Sequence, residues 1–390
     1  MRTSIRTLVI ALGLLGLGLT GLAACTPAIT FGPGDCAADS HFAESPCGSL
    51  GTKVKTLQPG DTLKLEPGSY DIGYLRLADI HGTSDSPITI TASDPTQPPL
   101  LTGVLSLAGA QYVTVDHLRL QATWTSTAHG GPLGALSLTC GIGWRVQNSE
   151  IFGADQTQSV WNMLINGKKA DTAPNPPGSE CAGEPAGFVV SGNVFHNSYV
   201  PASCSADPKW HHIYANFEGD DSTGGTISRN LFVGNRCGAG IKLGTGDQTK
   251  PKGARNVDIE YNTFYDGARA ILLQNDIRGT TIVRNLIDKI VYPHSMNRSI
   301  PVALGTVAAA TPPNTIAHTF AANNLNQNGK VWGPVQDNGI GVLSDLCDNK
   351  FRSGDDPQWN STDYTVADSF TPANATAAKY GRFGHGPAAC

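Results

Sequence analysis

Apolar and polar positions repeat in one short pattern along the middle of the chain. The pattern reads apolar, any residue, apolar, two further residues, Asn or Asp, any residue, apolar, and its copies run from VTVDHL to IVRNLI. The polar position falls at Asp116, Asn148, Asn193, Asn230, Asn262 and Asn285, with a weaker copy at Asn323 and Asn324. The spacing is that of a coil of roughly 22 to 25 residues with insertions, which predicts a solenoid of stacked coils.

Each Asn of the pattern is predicted to stand at a corner of its coil. Asn turns the chain readily, and its amide carries both donors and an acceptor. We therefore expect successive Asn side chains to stack and to hydrogen-bond one another and the backbone. The alternative that the pattern leaves open is a loose β-sandwich with Asn-rich turns.

Several of these segments resemble coils of a known fold. IEYNTFYDGARAILLQ and ISRNLFVGNRCGAGIKLG are similar to coils of the right-handed parallel β-helix, the fold of pectate lyases and their relatives. LQPGDTLKLEPGSYDIGYLRL, followed by GTSDSPITITA, is similar to the entry coil of such proteins. The resemblance implies an all-β, right-handed parallel β-helix solenoid over residues 50–345. It implies no particular activity, because function resides in the site and not in the scaffold.

The N-terminus predicts export. Arg2 and Arg6 precede an apolar run, and Leu-Ala-Ala-Cys ends it at Cys25. This is the arrangement of a secretory signal over residues 1–24, and its ending resembles a bacterial lipobox. Cys25 would then be lipidated and would hold the protein at the outer face of the bacterial cell membrane. The alternative is an ordinary signal that is cut nearby, with Cys25 paired elsewhere.

The cysteines predict disulfide bonds. The chain has nine, and without Cys25 an even set remains: Cys36, Cys47, Cys140, Cys181, Cys204, Cys237, Cys347 and Cys390. An even set in an exported protein favours disulfides, although the sequence does not reveal their connectivity. Cys36 with Cys47 is a plausible local pair, and Cys181 with Cys204 could clamp an insertion. No cysteine or histidine spacing in the chain suggests zinc.

The remaining segments are interpreted around this scaffold. Residues 25–49 are predicted to be a linker, and residues 346–390 a C-terminal cap over the last coil. The Pro-rich, Cys-bearing segments 167–186 and 199–210 are predicted to be disulfide-braced loops projecting from one face. The net charge of −5 has both signs interspersed, without the basic stripe that a nucleic-acid-binding protein would show. We expect a monomer that binds a polysaccharide.

A second set of strands carries the candidate chemistry. In a strand, side chains alternate between core and solvent, and parallel strands stack about 4.8 Å apart. If Ile241 and Leu243 point inward, Lys242 points outward. The equivalent positions one coil earlier and one coil later are then predicted to point outward as well: His212, Tyr214, Asn216, Leu272 and Gln274. Tyr214 is thus expected beside Lys242. Trp161 and Trp210 are predicted to stack on sugar rings.

Such a surface would suit β-elimination on a uronic-acid polysaccharide. The reaction needs a cation to neutralise the sugar carboxylate, a base for the ring proton and an acid for the leaving oxygen. Lys242 or His212 is the predicted base, and Tyr214 the predicted acid. Arg236 or a bound Ca²⁺ is predicted to neutralise the carboxylate, and the predicted calcium ligands are Glu218, Asp220 and Asp221.

The lyase resemblance is incomplete at one position. Alginate and chondroitin lyases of this fold pair a Lys on one coil with an Arg on the next. Here the strand after Lys242 offers Leu272 and Gln274 in the expected places, and Arg269 lies slightly before them. Arg269 is therefore a candidate for the second cation, in a displaced position.

Two other functions stay open. Gly219-Asp220-Asp221 resembles a motif of polygalacturonases, and Asp220 with Asp247 or Asp266 could form the carboxyl pair of an inverting glycoside hydrolase. However, their Asn-Thr-Asp is missing, and Gly384-His385-Gly386 lies in the tail. The third possibility is a surface lipoprotein that binds glycans or has a structural role, without catalysis.

Overall fold

A computed structural model describes most of the chain after the predicted signal. The described residues are 28–123, 125–126, 131–132, 134–153, 161–167, 184–197, 210–217, 223–235, 237–244, 253–274, 277–290, 300–304, 314–317, 319–322, 335–336, 343–346, 350–353, 357–366 and 368–384. Within them, no helix is long and apolar enough to cross a membrane.

The described residues form mostly β-strands. In chain order, β1 to β30 are Ile29–Phe31, Thr62–Leu65, Ser69–Ala78, Ile88–Ala92, Leu100–Ala108, Val113–Asp116, Arg119–Ala122, Thr125–Ser126, Gly131–Pro132, Leu136–Thr139, Arg145–Gln147, Glu150–Gly153, Trp161–Asn166, Ala186–Ser191, Val194–His196, His211–Asn216, Gly224–Ser228, Leu231–Val233, Ile241–Leu243, Val257–Glu260, Thr263–Gly267, Arg269–Leu273, Thr281–Val283, Leu286–Ile290, Ile300–Leu304, Asn314–Ala317, Phe320–Ala322, Val335–Gln336, Leu343–Leu346 and Lys350–Ser353. One α-helix, α1, spans Gly48–Lys55, and short 3-10 helices span Pro33–Asp35, Ser40–Phe42 and Ala377–Lys379.

The strands stack into two long parallel sheets. The first sheet takes one strand from each coil, in the order β1-β2-β4-β6-β11-β14-β17-β20-β23-β26-β29. The second contains two columns of strands, one with β12, β15, β18, β21 and β24 and the other with β10, β13, β16, β19 and β22. The one antiparallel strand pair in the described residues is β8 with β9. The predicted parallel β-helix is thus confirmed, and a β-sandwich of antiparallel strands is excluded.

The core lies inside the coils because alternate side chains of every strand point there. Strand β4 shows the regular form, with Ile88 and Ile90 buried and the Thr between them half-buried. Identical positions of successive coils place like side chains on one another. The rings of Phe195, Phe232 and Phe264 stack at centroid distances of 4.9 and 4.8 Å, which is the spacing of the strands.

The predicted stack of asparagines is confirmed. Asn193, Asn230, Asn262 and Asn285 are all fully buried. The amide Nδ2 of each of the first three donates to the Oδ1 of the Asn in the next coil, at 3.0, 3.0 and 3.1 Å, and to a backbone carbonyl, whereas Asn285 Nδ2 donates to two backbone carbonyls. The same Oδ1 atoms also accept from the backbone N–H of the preceding Asn. The ladder therefore satisfies polar groups that the corner would otherwise leave buried without partners.

In the coil before Asn193, the ladder position is occupied by the residue that follows the predicted Asn148. Asn148 is exposed, with a φ of 49°, and its side chain donates to Asp116 at the surface. Ser149 occupies the ladder position instead, because its backbone N–H donates to Asn193 Oδ1 at 3.0 Å and its hydroxyl accepts from the Leu118 N–H. The predicted positions Asn323 and Asn324 lie outside the described residues.

The predicted linker is folded from residue 28 onward. Strand β1 extends the first sheet by pairing with β2, and the predicted Cys36–Cys47 disulfide is present. Helix α1 buries Leu50 and Val54 in the common core. The described part of residues 25–49 therefore belongs to the N-terminal end of the β-helix. Linkers are exposed and polar, whereas this segment supplies apolar side chains to the core.

The C-terminal part has two sections. Strands β29 and β30 pair in parallel with β26 and β27, so the coils continue past residue 345. Residues 357–384 then lie along the flank of the second sheet. Trp359 Nε1 donates to Asp288 at 2.7 Å, and the Tyr364 ring stacks on His196 at 4.2 Å. The described tail therefore covers the side of the strand column that contains β15 to β24.

The braced loops lie mostly outside the described residues. Cys181 and Cys204 are among the residues that the structure does not describe, so their pairing stays a prediction. Cys140 and Cys237 are each disulfide-bonded. Both stand next to the strands that carry the candidate site, at the end of β10 and shortly before β19.

Candidate active site

The predicted neighbours Tyr214 and Lys242 lie side by side on the outer face of the second sheet. Strands β16 and β19 pair in register, with Tyr214 opposite Lys242. Ile213 and Ile241 point inward and are fully buried, which turns the two polar side chains outward. The Lys242 Nζ atom lies 4.8 Å from the centroid of the Tyr214 ring. Lys242 is only 7% exposed, so this outward surface is a recess rather than an open face.

The predicted outward orientation of His212 is wrong. Its side chain is fully buried and lies between the core rings of Phe195 and Phe232, at centroid distances of 6.3 and 6.0 Å. Its Nδ1 lies 3.1 Å from Asn162 Nδ2, and its Nε2 lies 3.1 Å from the carbonyl oxygen of Val233. Both ring nitrogens are therefore engaged inside the coil.

Burial also decides the charge of His212. Loss of hydration lowers its pKa to about 3, with a smaller contribution from His196, although the hydrogen bond to Val233 opposes the shift. The imidazole is neutral near pH 7. A neutral side chain without access to the outer face cannot serve as the catalytic base, and His212 is a structural residue.

The adjacent His211 takes the place predicted for His212. Alternation along β16 is interrupted at its start, because His211, His212 and Ile213 are all buried. His212 turns into the core, whereas the ring of His211 lies beside that of Tyr214. The His211 and Tyr214 ring centroids are 5.8 Å apart, and the ring of Trp161, which pairs in register with His211, also lies 5.8 Å from that of Tyr214.

His211 is held neutral in this recess. It is 1% exposed, and its Nδ1 accepts a hydrogen bond from the Ala239 N–H at 3.1 Å. Burial lowers its pKa well below the usual value, and the positive charges of Lys242 and Arg269 lower it further. Within the described residues, its Nε2 is buried without a hydrogen-bond partner.

Arg269 belongs to the same cluster. It begins β22, the strand that follows β19 in the stack, and its carbonyl oxygen accepts from the Gly240 N–H at 3.0 Å. Its side chain is half-buried and its charge acts on His211. Leu272 pairs in register with Lys242, so Arg269 is displaced along β22 from that position, and its charge still acts on His211.

The other predicted substrate-binding residues flank this cluster. Asn216 is half-buried and pairs in register with Asn166 of β13. Gln274 directly follows β22, and its Oε1 is buried without a hydrogen-bond partner in the described residues. Trp210 is half-buried, and its carbonyl group closely approaches Gly238, a position where any larger residue would collide.

The residues of the predicted metal site lie outside the described part of the chain. Arg236, Glu218, Asp220 and Asp221 all lie outside the described residues, so their roles stay predictions. Within the part of the chain that the structure describes, no three His, Cys, Asp or Glu side chains are grouped as metal ligands. Of the carboxylates proposed for a hydrolase, Asp220 and Asp247 are likewise outside it, and Asp266 lies on β21, in the other strand column.

The chain was compared with known proteins. No protein-family model matches it, and no curated protein matches it either. Among solved structures it is similar to a mannuronic acid specific polysaccharide family 6 lyase from human gut microbiota, at 15% identity over 83% of this chain and 82% of that one, with a TM-score of 0.39.

Two further solved structures illustrate the range of these likenesses. One is an alginate lyase from Paenibacillus sp., at 15% identity over 74% of this chain and 96% of that one, with a TM-score of 0.41. The other is a lacto-N-biosidase from Eubacterium ramulus, at 12% identity over 75% and 62%, with a TM-score of 0.41. Likenesses this distant decide no activity, which must rest on the residues of this chain.

Proposed function

We propose that the protein is a polysaccharide lyase that cleaves a uronic-acid glycan by β-elimination. The observation that carries the proposal is a cluster of two basic side chains from successive coils, Lys242 and Arg269, with the phenol of Tyr214 and the neutral imidazole of His211. Positive charge in a recess of low exposure attracts a carboxylate strongly, because little water is left to screen it.

The reaction assigns a role to each group. A base removes the proton from the ring carbon that carries the carboxylate, and the electron pair of that bond forms a double bond to the neighbouring carbon. The bond from that neighbour to the glycosidic oxygen breaks, and an acid protonates the oxygen. We assign the neutral amine of Lys242 as the base, Tyr214 as the acid and Arg269 as the cation that holds the carboxylate.

The predicted Ca²⁺ remains a proposal. If Glu218, Asp220 and Asp221 hold it, the ion would supply additional positive charge for the carboxylate, as hard oxygen ligands suit calcium. Among the described residues, Arg269 provides a cation for the carboxylate without it. The roles of Lys242, Tyr214 and Arg269 therefore do not depend on the ion.

We also propose where the enzyme works. The basic start, the apolar run and the Leu-Ala-Ala-Cys ending of the chain support export and lipid attachment through Cys25. The Cys36–Cys47 disulfide is in keeping with an oxidising compartment. Radiolabelled palmitate should enter the wild-type protein in bacterial cells, and incorporation that persists in Cys25→Ala would contradict the assignment.

The test of the activity is a panel of uronic-acid polysaccharides, with and without calcium. A lyase produces an unsaturated uronide that absorbs ultraviolet light, whereas a hydrolase produces reducing ends without that absorbance. We expect absorbance to rise with at least one polymer. New reducing ends alone would mean a hydrolase, and binding without either product would mean a glycan-binding protein.

A matched pair of lysines makes the test specific to the site. Lys242→Ala should lower kcat by about 100-fold or more, since it removes the proposed base. Lys289 offers a control, because its Nζ lies 4.9 Å from the Tyr265 ring in the same kind of contact but in the other strand column. Lys289→Ala should leave kcat within about twofold of wild type. Equal losses in both variants would refute the assignment.

A further inference from the structure

The hydrogen bond at Nδ1 determines the tautomer of His211. The Ala239 N–H is a donor, so the Nδ1 atom that it faces at 3.1 Å must carry a lone pair. In a neutral imidazole one nitrogen carries the hydrogen, and here that nitrogen is Nε2. Protonation of the ring would place two N–H groups against each other and break this bond. The geometry therefore opposes a cationic His211 independently of its burial.

The Nε2–H of His211 is a donor that needs an acceptor. It is buried and has no hydrogen-bond partner within the described residues, although a buried donor without an acceptor destabilises the folded protein. The basic side chains of Lys242 and Arg269 lie close enough to act electrostatically on the imidazole. An anionic oxygen is therefore the acceptor that suits this donor best, because the nearby positive charge would attract it as well.

We propose that His211 is a neutral hydrogen-bond donor to the substrate carboxylate, and that its Nε2–H stabilises the negative charge that grows on this group when the neighbouring ring proton leaves. This inference rests on the proposed lyase function and adds a residue to it. His211 gives up no proton in the reaction: the proton passes from the ring carbon to Lys242, and the leaving oxygen receives its own from Tyr214.

A neutral donor suits this position better than a cation would. A full positive charge on His211, next to the basic side chains of Lys242 and Arg269, would be costly in so buried a position. A fixed N–H contributes little charge before the reaction, yet its hydrogen bond strengthens as the carboxylate gains electron density. The donor is also pre-oriented, because Ala239 holds the ring from the opposite side.

Two substitutions separate the donor from the shape of the ring. His211→Phe keeps a planar ring without a donor, and His211→Gln keeps an amide N–H that can reach a similar place. We expect His211→Phe to lower kcat/KM on a uronic-acid polymer by about 100-fold, and His211→Gln to recover at least about tenfold of the loss. Unchanged urea midpoints would show that both variants remain folded. Equal activities of the two variants would overturn the inference.

Nitrogen NMR of the protein labelled at histidine tests the tautomer without requiring turnover. We expect His211 to show a protonated Nε2 and an unprotonated Nδ1, with no titration between about pH 5 and pH 8. Addition of galacturonate or mannuronate trisaccharides should shift the Nε2 signal. A proton on Nδ1, or no shift with a trisaccharide whose polymer the enzyme cleaves, would overturn the role of His211.

Different results would contradict the proposed lyase function and the proposed role of His211. A wild-type protein without lyase activity on any uronic-acid polymer would count against the proposed function. An active wild type whose His211→Phe variant is equally active would leave the lyase intact and remove only His211 from it. An inactive wild type whose Nε2 signal does not respond to either trisaccharide would overturn both.

Discussion

Replacement of Asn230 by alanine removes one rung of the asparagine ladder while leaving the strands unaltered in composition. The Asn230 side chain donates to Val190 O at 2.9 Å and to Asn262 Oδ1 at 3.0 Å. Its own Oδ1 accepts from both the backbone N–H and the side-chain amide of Asn193, each at 3.0 Å. All four contacts are inside the protein, since Asn230 is fully buried.

The expected cost follows from the groups left without partners. In Asn230→Ala, the Asn193 backbone N–H, one amide hydrogen of Asn193 and the Val190 carbonyl lose their partners in a buried environment. Asn262 Oδ1 still accepts from the backbone N–H of residue 230. At about 1 to 2 kcal/mol for each of the three orphaned groups, the free energy of unfolding should fall by about 3 to 6 kcal/mol.

Urea unfolding followed by tryptophan fluorescence and circular dichroism would measure the change. Stacked coils can unfold in parts, so agreement between the two probes must be checked before a single free energy is assigned. Asn148→Gly is the control, because Asn148 is exposed, has a φ of 49° that glycine tolerates, and comes from the same sequence motif. Its effect should stay within about 0.5 kcal/mol. The ladder would have no stabilising role if both variants shifted the midpoint equally.

Two further predictions concern acid and the tail. The pKa of His212 is about 3 in the folded protein against 6.5 in the unfolded chain. Between these two values only the unfolded state binds a proton on His212. The free energy of unfolding therefore falls by about 1.4 kcal/mol for each pH unit as the pH drops from 6.5 towards 3. His211 adds to this loss in the same direction, and urea midpoints at about pH 7.5 and about pH 5 should therefore differ by less in His212→Asn than in wild type. Trp359→Phe removes the donor to buried Asp288 and should lower the free energy of unfolding by about 2 kcal/mol in the same assay. The same substitution should cost less when it is made in an Asp288→Asn background, because the contact is already altered there. Equal costs in the two backgrounds would contradict the contact.

The sequence predicted the site as far as strand registry allowed. Tyr214 and Lys242 are neighbours because they occupy the same position of successive coils, and parallel stacking preserves that registry. The orientation predicted for His212 was wrong because inward and outward positions do not alternate at the start of β16, where three consecutive residues are buried. The two consecutive histidines that begin HHIYANF indicate that one histidine lies at the site. The local sequence does not show which of the two points into the core.

Packing across coils decided the orientation of the two histidines. His212 turns inward because Asn162 and the Val233 carbonyl satisfy its two nitrogens there, and because Phe195 and Phe232 surround its ring. These partners are distant in the sequence. Together these contacts stabilise an inward His212 more than the alternation of β16 favours an outward one. His211 is then the histidine that lies near Lys242 and Arg269.

The sequence by itself determined the solenoid, its ladder and the face that bears Tyr214 and Lys242. Each depends on a repeat, and a repeat places equivalent residues on one another whatever the rest of the chain does. The tertiary structure alone decided what the repeat does not specify: Ser149 in the place of Asn148, the tail along the flank, and the exchange of His212 for His211 at the site. These features depend on contacts between non-equivalent residues, for which the periodicity of the chain contains no information.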